Sequence, residues 1–100
     1  MPYIKQEVRK ELDSDIESLA KKINDLAEKE GDDAAFAGLL NYTCTKLTLK
    51  TIPARRYKWI AMVCGVFSNI IHEFYRRYAA PYENEKIEES GDVYPEGKDS

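Results

Sequence analysis

The chain has 100 residues, of which 43% are apolar and 33% charged, and its net charge at pH 7 is −3. That length corresponds to one domain with a small core. The negative net charge argues against a general nucleic-acid-binding protein, which would be basic.

The location of the protein is predicted from its termini and its cysteines. The amino terminus, MPYIKQEVRK, lacks the apolar segment of a secretory signal, and the longest apolar run is too short to span a bilayer. Cys44 and Cys64 are isolated in the sequence, as is typical of reduced thiols. We therefore expect a cytoplasmic protein that is not associated with a membrane.

A short amino-terminal arm and a first helix are predicted for the start of the chain. Residues 1–10 are expected to form the arm, because Pro2 disfavours helix at the extreme end. The helix is predicted from about Asp15 to Glu30, with Ser14 as its N-cap and Glu17 at the spacing of a capping box. Gly31 is placed to end it. Its apolar stripe consists of Ile16, Leu19, Ile23 and Leu26.

A second helix is predicted to start after Asp32 or Asp33 and to run to about Lys50. Residues 43–49 are rich in β-branched side chains, so a strand is an alternative there. A lone strand would have no partner in this chain, and helix is therefore favoured. The expected buried face consists of Phe36, Leu40, Thr43 and Leu47.

The third predicted helix is the longest and the most apolar. Thr51 is expected to cap it, Pro53 to lie in its first turn, and Pro81 to end it after Ala80. Two adjacent apolar stripes leave only a narrow polar face, and such a helix must be covered on several sides. We therefore expect a homo-oligomer with a dimer as its basic unit, built on this helix, with Gly65 at the crossing.

The complete prediction is an all-α fold of three helices. The long third helix is central, and an amino-terminal arm and an acidic carboxy-terminal tail flank the bundle. Residues 1–94 are expected to form a single helical domain, while residues 95–100 are expected to be disordered because they are polar and lack apolar anchors.

No motif in the chain indicates catalysis or metal binding. Cys44, Cys64 and His72 lack the spacing of a metal site. Glu85, Glu88 and Glu89 lie in a polar segment without a facing acidic helix, so a solvated acidic surface is the simpler interpretation. We expect a non-enzymatic protein with neither a metal nor a cofactor.

Two clusters of arginine and tyrosine flank the apolar part of the third helix. Arg55, Arg56 and Tyr57 open it, and the second cluster, Tyr75, Arg76, Arg77 and Tyr78, closes it. Arginine offers a planar fork for phosphate, and tyrosine offers a stacking face for a base. Arginines at a helix carboxy terminus complement the dipole, but at an amino terminus they oppose it. The first cluster therefore indicates a ligand or a partner surface.

Charge is distributed in blocks along the chain, which leaves two interpretations open. Residues 1–45 carry ten acidic and six basic side chains. Residues 46–81 carry one acidic and seven basic side chains, and residues 82–100 carry seven acidic and two basic ones. The acidic tail can fold back and neutralise the basic block. Alternatively, the basic block is a site for an anion.

Within one helix the two clusters would lie about 33 Å apart, at roughly 1.5 Å per residue. They could meet only in an antiparallel dimer, in which the first cluster of one subunit lies near the second cluster of the other. We therefore predict a composite anion site between subunits.

Several short strings are similar to those of a family of small helical proteins from phages, prophages and metagenomes. They are MPYI, LNY at 40–42, EFYRR at 73–77, PYE at 81–83, KIE at 86–88 and GDVY at 91–94. The resemblance implies a virus-associated origin and the cytoplasm of a host cell. It also adds Asn41, Tyr42 and Tyr82 to the candidate ligand-binding residues.

By analogy with small helical phage proteins, which often act by binding, we expect a binding protein. Some such proteins inhibit host proteins, and others sequester nucleotide second messengers of host immunity. Our leading hypothesis is an oligomer that sequesters a small phosphorylated, nucleotide-like ligand between subunits, in an anti-defence role. The alternative is an inhibitor that docks on a host or phage protein through the long apolar helix.

Overall fold

The computed structural model describes residues 2–95. Its elements are α1 (Gln6–Glu30), α2 (Ala35–Thr51), α3 (Tyr57–Phe74), a π-helical segment (Tyr75–Ala79) and α4 (Ala80–Ser90). The last three elements follow one another without a break, so residues 57–90 form one long helix. No strand occurs in residues 2–95. The predicted all-α fold with three helices is confirmed.

The chain divides into two compact units, Met1–Val63 and Cys64–Ser100. In the first unit, α1 packs against α2, and in the second, α4 contacts the π-helical segment that precedes it. The predicted single domain over residues 1–94 stays a prediction. The predicted disorder of residues 95–100 lies, apart from Pro95, outside the described residues.

The predicted start of the first helix is wrong, because α1 begins at Gln6 instead of near Asp15. Residues 6–12 are mostly strong helix formers, and Val8 and Leu12 continue the apolar stripe backwards. Ser14 therefore lies inside the helix and is not its N-cap. The predicted end at Glu30 is confirmed, because Gly31 follows it in the left-handed conformation at φ 70°.

The second element is a helix through its threonine-rich part, so the alternative of a strand is wrong. Thr43, Thr48 and Thr51 donate their hydroxyls to carbonyl oxygens one turn back, on Leu39, Cys44 and Leu47, at 2.8, 2.6 and 2.9 Å. These bonds give each hydroxyl a partner within the helix, which makes β-branched threonine acceptable there.

The predicted start of the third helix at Thr51 is also wrong. Thr51 is the last residue of α2, and α3 begins only at Tyr57. Ile52 has an extended backbone at φ −63° and ψ 128°, the conformation that a following proline favours. Arg55 and Arg56 therefore lie in the link before the helix. The carbonyl of Arg56 accepts bonds from the N–H groups of Trp59 and Ile60 at 3.1 and 3.0 Å.

Pro81 does not end the long helix, contrary to the prediction. Proline in a regular helix clashes with the carbonyl four residues earlier and lacks an N–H. Here a π-helical turn precedes it, and the N–H of Ala80 reaches back five residues to the carbonyl of Tyr75. This wider turn accommodates the ring at the first turn of α4, where proline is tolerated. The helix ends at Ser90, before Gly91 at φ 86°.

Residues 2–95 contain no buried side chain. The expected buried face of α2 is half exposed, with 52% of Phe36, 48% of Leu40 and 58% of Leu47 accessible to solvent, so that expectation is wrong for the isolated chain. In α3, Met62, Ile70 and Ile71 are more than half exposed. Within the described part, no helix combines the length and apolarity needed to cross a membrane.

Candidate functional site

The first arginine and tyrosine cluster is open to solvent. Arg55, Arg56 and Tyr57 are all exposed, and 86% of the Tyr57 side chain is accessible. Among residues 2–95, neither guanidinium makes a hydrogen bond or an ion pair. The adjacent Lys58 ammonium lies over the Trp59 ring, 4.7 Å from its centre. Arg55 and Arg56 thus remain available for an anionic partner.

The second cluster lies within the π-helical segment and is partly neutralised. Arg76 forms an ion pair with Glu73, one turn earlier. Arg77 has no hydrogen-bonding or ion-pair partner within the described range. Tyr78 stacks on Phe74 with ring centres 5.0 Å apart and an angle of 16° between the planes. The cluster therefore presents one free guanidinium beside an aromatic pair.

Tyr75 is connected to the following helix by a short hydrogen bond. Its phenol donates to Glu83 Oε1 at 2.6 Å. This bond, together with the negative charge of Glu83, raises the pKa of Tyr75 above its ordinary value. Tyr75 is therefore held as a neutral donor, and Glu83 lies beside the second cluster.

A shallow groove lies at the junction of the π-helical segment and α4. We call it the aromatic–acidic groove; it is lined by Phe74, Tyr78, Ala79, Pro81, Tyr82, Glu83 and Glu85. The three aromatic rings are each more than half exposed. The Lys86 ammonium lies 5.3 Å from the centre of the Tyr82 ring. The groove combines π faces with carboxylates, a combination that suits a cation better than an anion.

Asn41 and Tyr42 lie in the other unit, on α2. They line a separate shallow depression with Ala37, Gly38 and Thr45. Thr45 donates its hydroxyl to Asn41 Oδ1 at 3.1 Å, and 63% of Tyr42 is exposed.

The candidate residues therefore fall into three groups. The segment from Tyr75 to Tyr82 joins five of them in one unit. Arg55, Arg56 and Tyr57 form a second group, and Asn41 with Tyr42 a third, both in the other unit. Glu73, Glu83 and Glu85 were expected to be charge partners of the nearby arginines but were not among the candidate ligand-binding residues. The spacing of three residues between Glu73 and Arg76 was the available signal.

Among the described residues, no group of three or more histidine, cysteine, aspartate or glutamate side chains is arranged to hold a metal ion.

A family model described as "Domain of unknown function (DUF6899)" matches residues 1–93. No curated protein and no solved structure matches the chain.

Proposed function

We propose that the chain, which belongs to the DUF6899 family of unknown function, is a homo-oligomeric binding protein that holds a small phosphorylated, nucleotide-like ligand between subunits. One observation supports the oligomer: residues 2–95 contain no buried side chain, although 43% of the sequence is apolar. A stable fold needs buried apolar surface to offset the entropy of ordering the chain. Contacts with further copies of the chain would bury these apolar side chains.

Light scattering coupled to size exclusion tests the oligomer directly. We expect a mass of at least two chains at micromolar concentration, because the exposed apolar side chains of α3 are covered only in an assembly. Ile70→Glu, which introduces a charge at a side chain that is 53% exposed in the isolated chain, is expected to weaken the assembly. Lys21→Glu on α1, where the side chain is 78% exposed, serves as the control. A monomeric wild type would contradict the proposal.

The free guanidinium groups support the ligand part of the proposal. Arg55, Arg56 and Arg77 lack anionic partners within residues 2–95, and planar guanidinium forks match phosphate oxygens. Tyr57 offers an exposed ring on which a base can stack. Arg76 is already paired with Glu73, so we expect it to contribute less. Asn41, Tyr42 and Tyr82 remain candidate ligand-binding residues.

A panel of mono-, di- and cyclic nucleotides in a thermal-shift assay tests this ligand. A bound nucleotide at about one hundred times its Kd stabilises the folded state by about 2.7 kcal/mol, which raises Tm by several degrees. Arg56→Ala and Arg77→Ala are expected to remove the shift. Arg76→Ala is the matched control, because it deletes a neighbouring arginine that is already ion-paired.

Two results would contradict the nucleotide proposal. Stabilisation that survives both Arg56→Ala and Arg77→Ala would place the site elsewhere. No stabilisation by any nucleotide would favour the second candidate, an inhibitor that docks on a host or phage protein through the long apolar helix. The exposed Met62, Ile70 and Ile71 of α3 favour that candidate specifically, because such surfaces mark protein interaction sites.

A virus-associated origin is part of this proposal. It rests on the resemblance of several short strings to those of small phage and prophage proteins. In that setting the chain would act in the host cytoplasm and sequester a nucleotide signal of host defence. Inspection of the genes that neighbour members of this family tests the virus-associated origin. We expect phage structural or replication genes beside them.

A further inference from the structure

We infer that the Arg55–Arg56 link of one copy docks into the aromatic–acidic groove of a second copy. This inference rests on the homo-oligomer proposed above and names the contact that holds it.

Charge complementarity is the first argument. Residues 46–58 carry five basic side chains and no acidic one, namely Lys46, Lys50, Arg55, Arg56 and Lys58. Residues 83–92 carry five acidic side chains and one basic one, namely Glu83, Glu85, Glu88, Glu89, Asp92 and Lys86. Two stretches of opposite sign steer association and suppress the wrong orientation.

The groove has the chemistry that an arginine recognises. Guanidinium groups stack on aromatic faces and form paired hydrogen bonds with carboxylates. Phe74 and Tyr78 present a stacked pair of exposed rings. Glu85 has no hydrogen-bonding or ion-pair partner among the described residues, so its carboxylate is available. Glu83 uses one oxygen for the Tyr75 phenol at 2.6 Å and keeps the other.

The position of Arg56 in the link favours an interaction with carboxylates. Arg56 directly precedes α3, and its carbonyl accepts the first bonds of that helix. A cation at this position opposes the positive end of the helix dipole. Carboxylates of a second copy would offset this repulsion, while docking would also cover part of the apolar surface that the isolated chain exposes.

Docking of this kind would also unite the two clusters. The groove adjoins the Tyr75–Ala79 segment, so Arg55 and Arg56 of one copy would lie near Arg77 of the other. Glu83 and Glu85 would then pair with part of these guanidinium groups and reduce their mutual repulsion, and the guanidinium groups left unpaired would face the phosphate of the proposed ligand. In a two-fold dimer the contact occurs twice, and each occurrence contains residues from both copies.

A charge swap tests the contact in the full-length chain. We expect Arg56→Glu and Glu85→Arg each to raise the dimer dissociation constant at least tenfold in sedimentation experiments, because each homodimer then places like charges together. An equimolar mixture should recover the wild-type constant within about threefold. In that heterodimer one contact is reversed in sign and the other is unchanged. Glu85→Arg leaves the Tyr75–Glu83 bond intact.

Matched controls separate this contact from general charge effects. Lys10→Glu changes the charge of the exposed face of α1 by the same amount, and Glu88→Arg does so on α4 outside the groove lining. Lys10→Glu should change the constant less than threefold, and Glu88→Arg, which only reduces the charge of the acidic stretch, should change it several-fold less than Glu85→Arg does. Circular dichroism confirms that the variants remain helical.

The possible results distinguish a failure of this contact from a failure of the proposed oligomer. A dimeric wild type with unchanged constants in both swap variants overturns this contact and leaves the oligomer standing. Weakened variants that do not recover on mixing also overturn it, since the contact would then not join two copies. A monomeric wild type overturns both this contact and the oligomer.

Discussion

At the residue scale, the hydrogen bond from Tyr75 to Glu83 makes the stability of the long helix depend on pH in the alkaline range. Two charges of the same sign would face each other if the phenol ionised, so the pKa of Tyr75 is raised by its hydrogen bond to Glu83 and by the charge of that carboxylate. A group with a raised pKa in the folded state stabilises it while protonated. That contribution is present below the ordinary tyrosine pKa of about 10 and is lost as pH rises through the higher folded value.

We therefore expect Glu83→Gln to lower the pKa of Tyr75 toward that of a free tyrosine. The difference in stability between the wild type and this variant should shrink as pH rises above about 10. Absorbance at 295 nm reports tyrosine ionisation, and subtraction of a Tyr75→Phe variant isolates the signal of this residue. An unchanged Tyr75 titration in Glu83→Gln would show that the bond does not persist in solution.

Sequence patterns pointed to the two arginine and tyrosine clusters, and the role of these residues as a ligand site stays a prediction. The Arg–Arg and Tyr–Arg–Arg–Tyr strings were visible, and a phosphate ligand was the natural hypothesis. Glu73 and Glu83 were recognisable as partners of the nearby arginines, but the helix was expected to end at Pro81, before Glu83. The bond from Tyr75 to Glu83 therefore appeared only with the continuous helix.

At the element scale, Gly31 marks the end of α1, and this end could be predicted from the sequence alone. Its backbone is left-handed at φ 70°, and its N–H donates to the carbonyl of Glu28 at 3.2 Å. A side chain is disfavoured in this conformation whatever space surrounds it. The helix stop therefore depends on one residue and its immediate neighbours.

Gly31→Ala is accordingly expected to lower the free energy of unfolding by about 1 kcal/mol. Gly38→Ala provides the opposite control, since Gly38 lies inside α2 with no atom within 4 Å of an added Cβ. That change should stabilise the helix by about 0.5–1 kcal/mol. Urea denaturation of both variants measures the two signs, and equal effects would contradict the role assigned to Gly31.

Other element boundaries depend on competing preferences that a sequence pattern does not rank. Pro81 ends a regular helix but is tolerated at the start of a new one, and the π-helical turn before it decided the outcome. Similarly, Ser14 is a good N-cap residue, yet the helix-forming residues before it allow α1 to begin at Gln6.

At the scale of the whole molecule, the proposed oligomer would make folding and assembly a single process. If copies of the chain bury one another's exposed apolar side chains, mass action stabilises the folded state as the protein concentration rises. A monomeric domain shows no such dependence. The proposal thus has a thermodynamic consequence that is independent of any ligand.

We expect Tm to rise by several degrees when the protein concentration is increased one hundredfold. Arg56→Glu should show a lower Tm at each concentration, while Lys10→Glu should follow the wild type. Circular dichroism in cells of different path length measures both series. A Tm that is independent of concentration, together with a cooperative transition, would indicate a chain that is stable as a monomer.

The sequence by itself determined the fold class, the end of α1 at Glu30 and the helical nature of α2, because periodicity, a left-handed glycine and the lack of a partner strand are local or compositional signals. The tertiary structure decided where Arg55 and Arg56 lie, how the long helix passes Pro81, and which apolar residues are covered. Those outcomes depend on backbone hydrogen bonds and on contacts between distant residues. An apolar stripe shows that a helix face needs cover, but only the packed chain shows that residues 2–95 leave that face exposed.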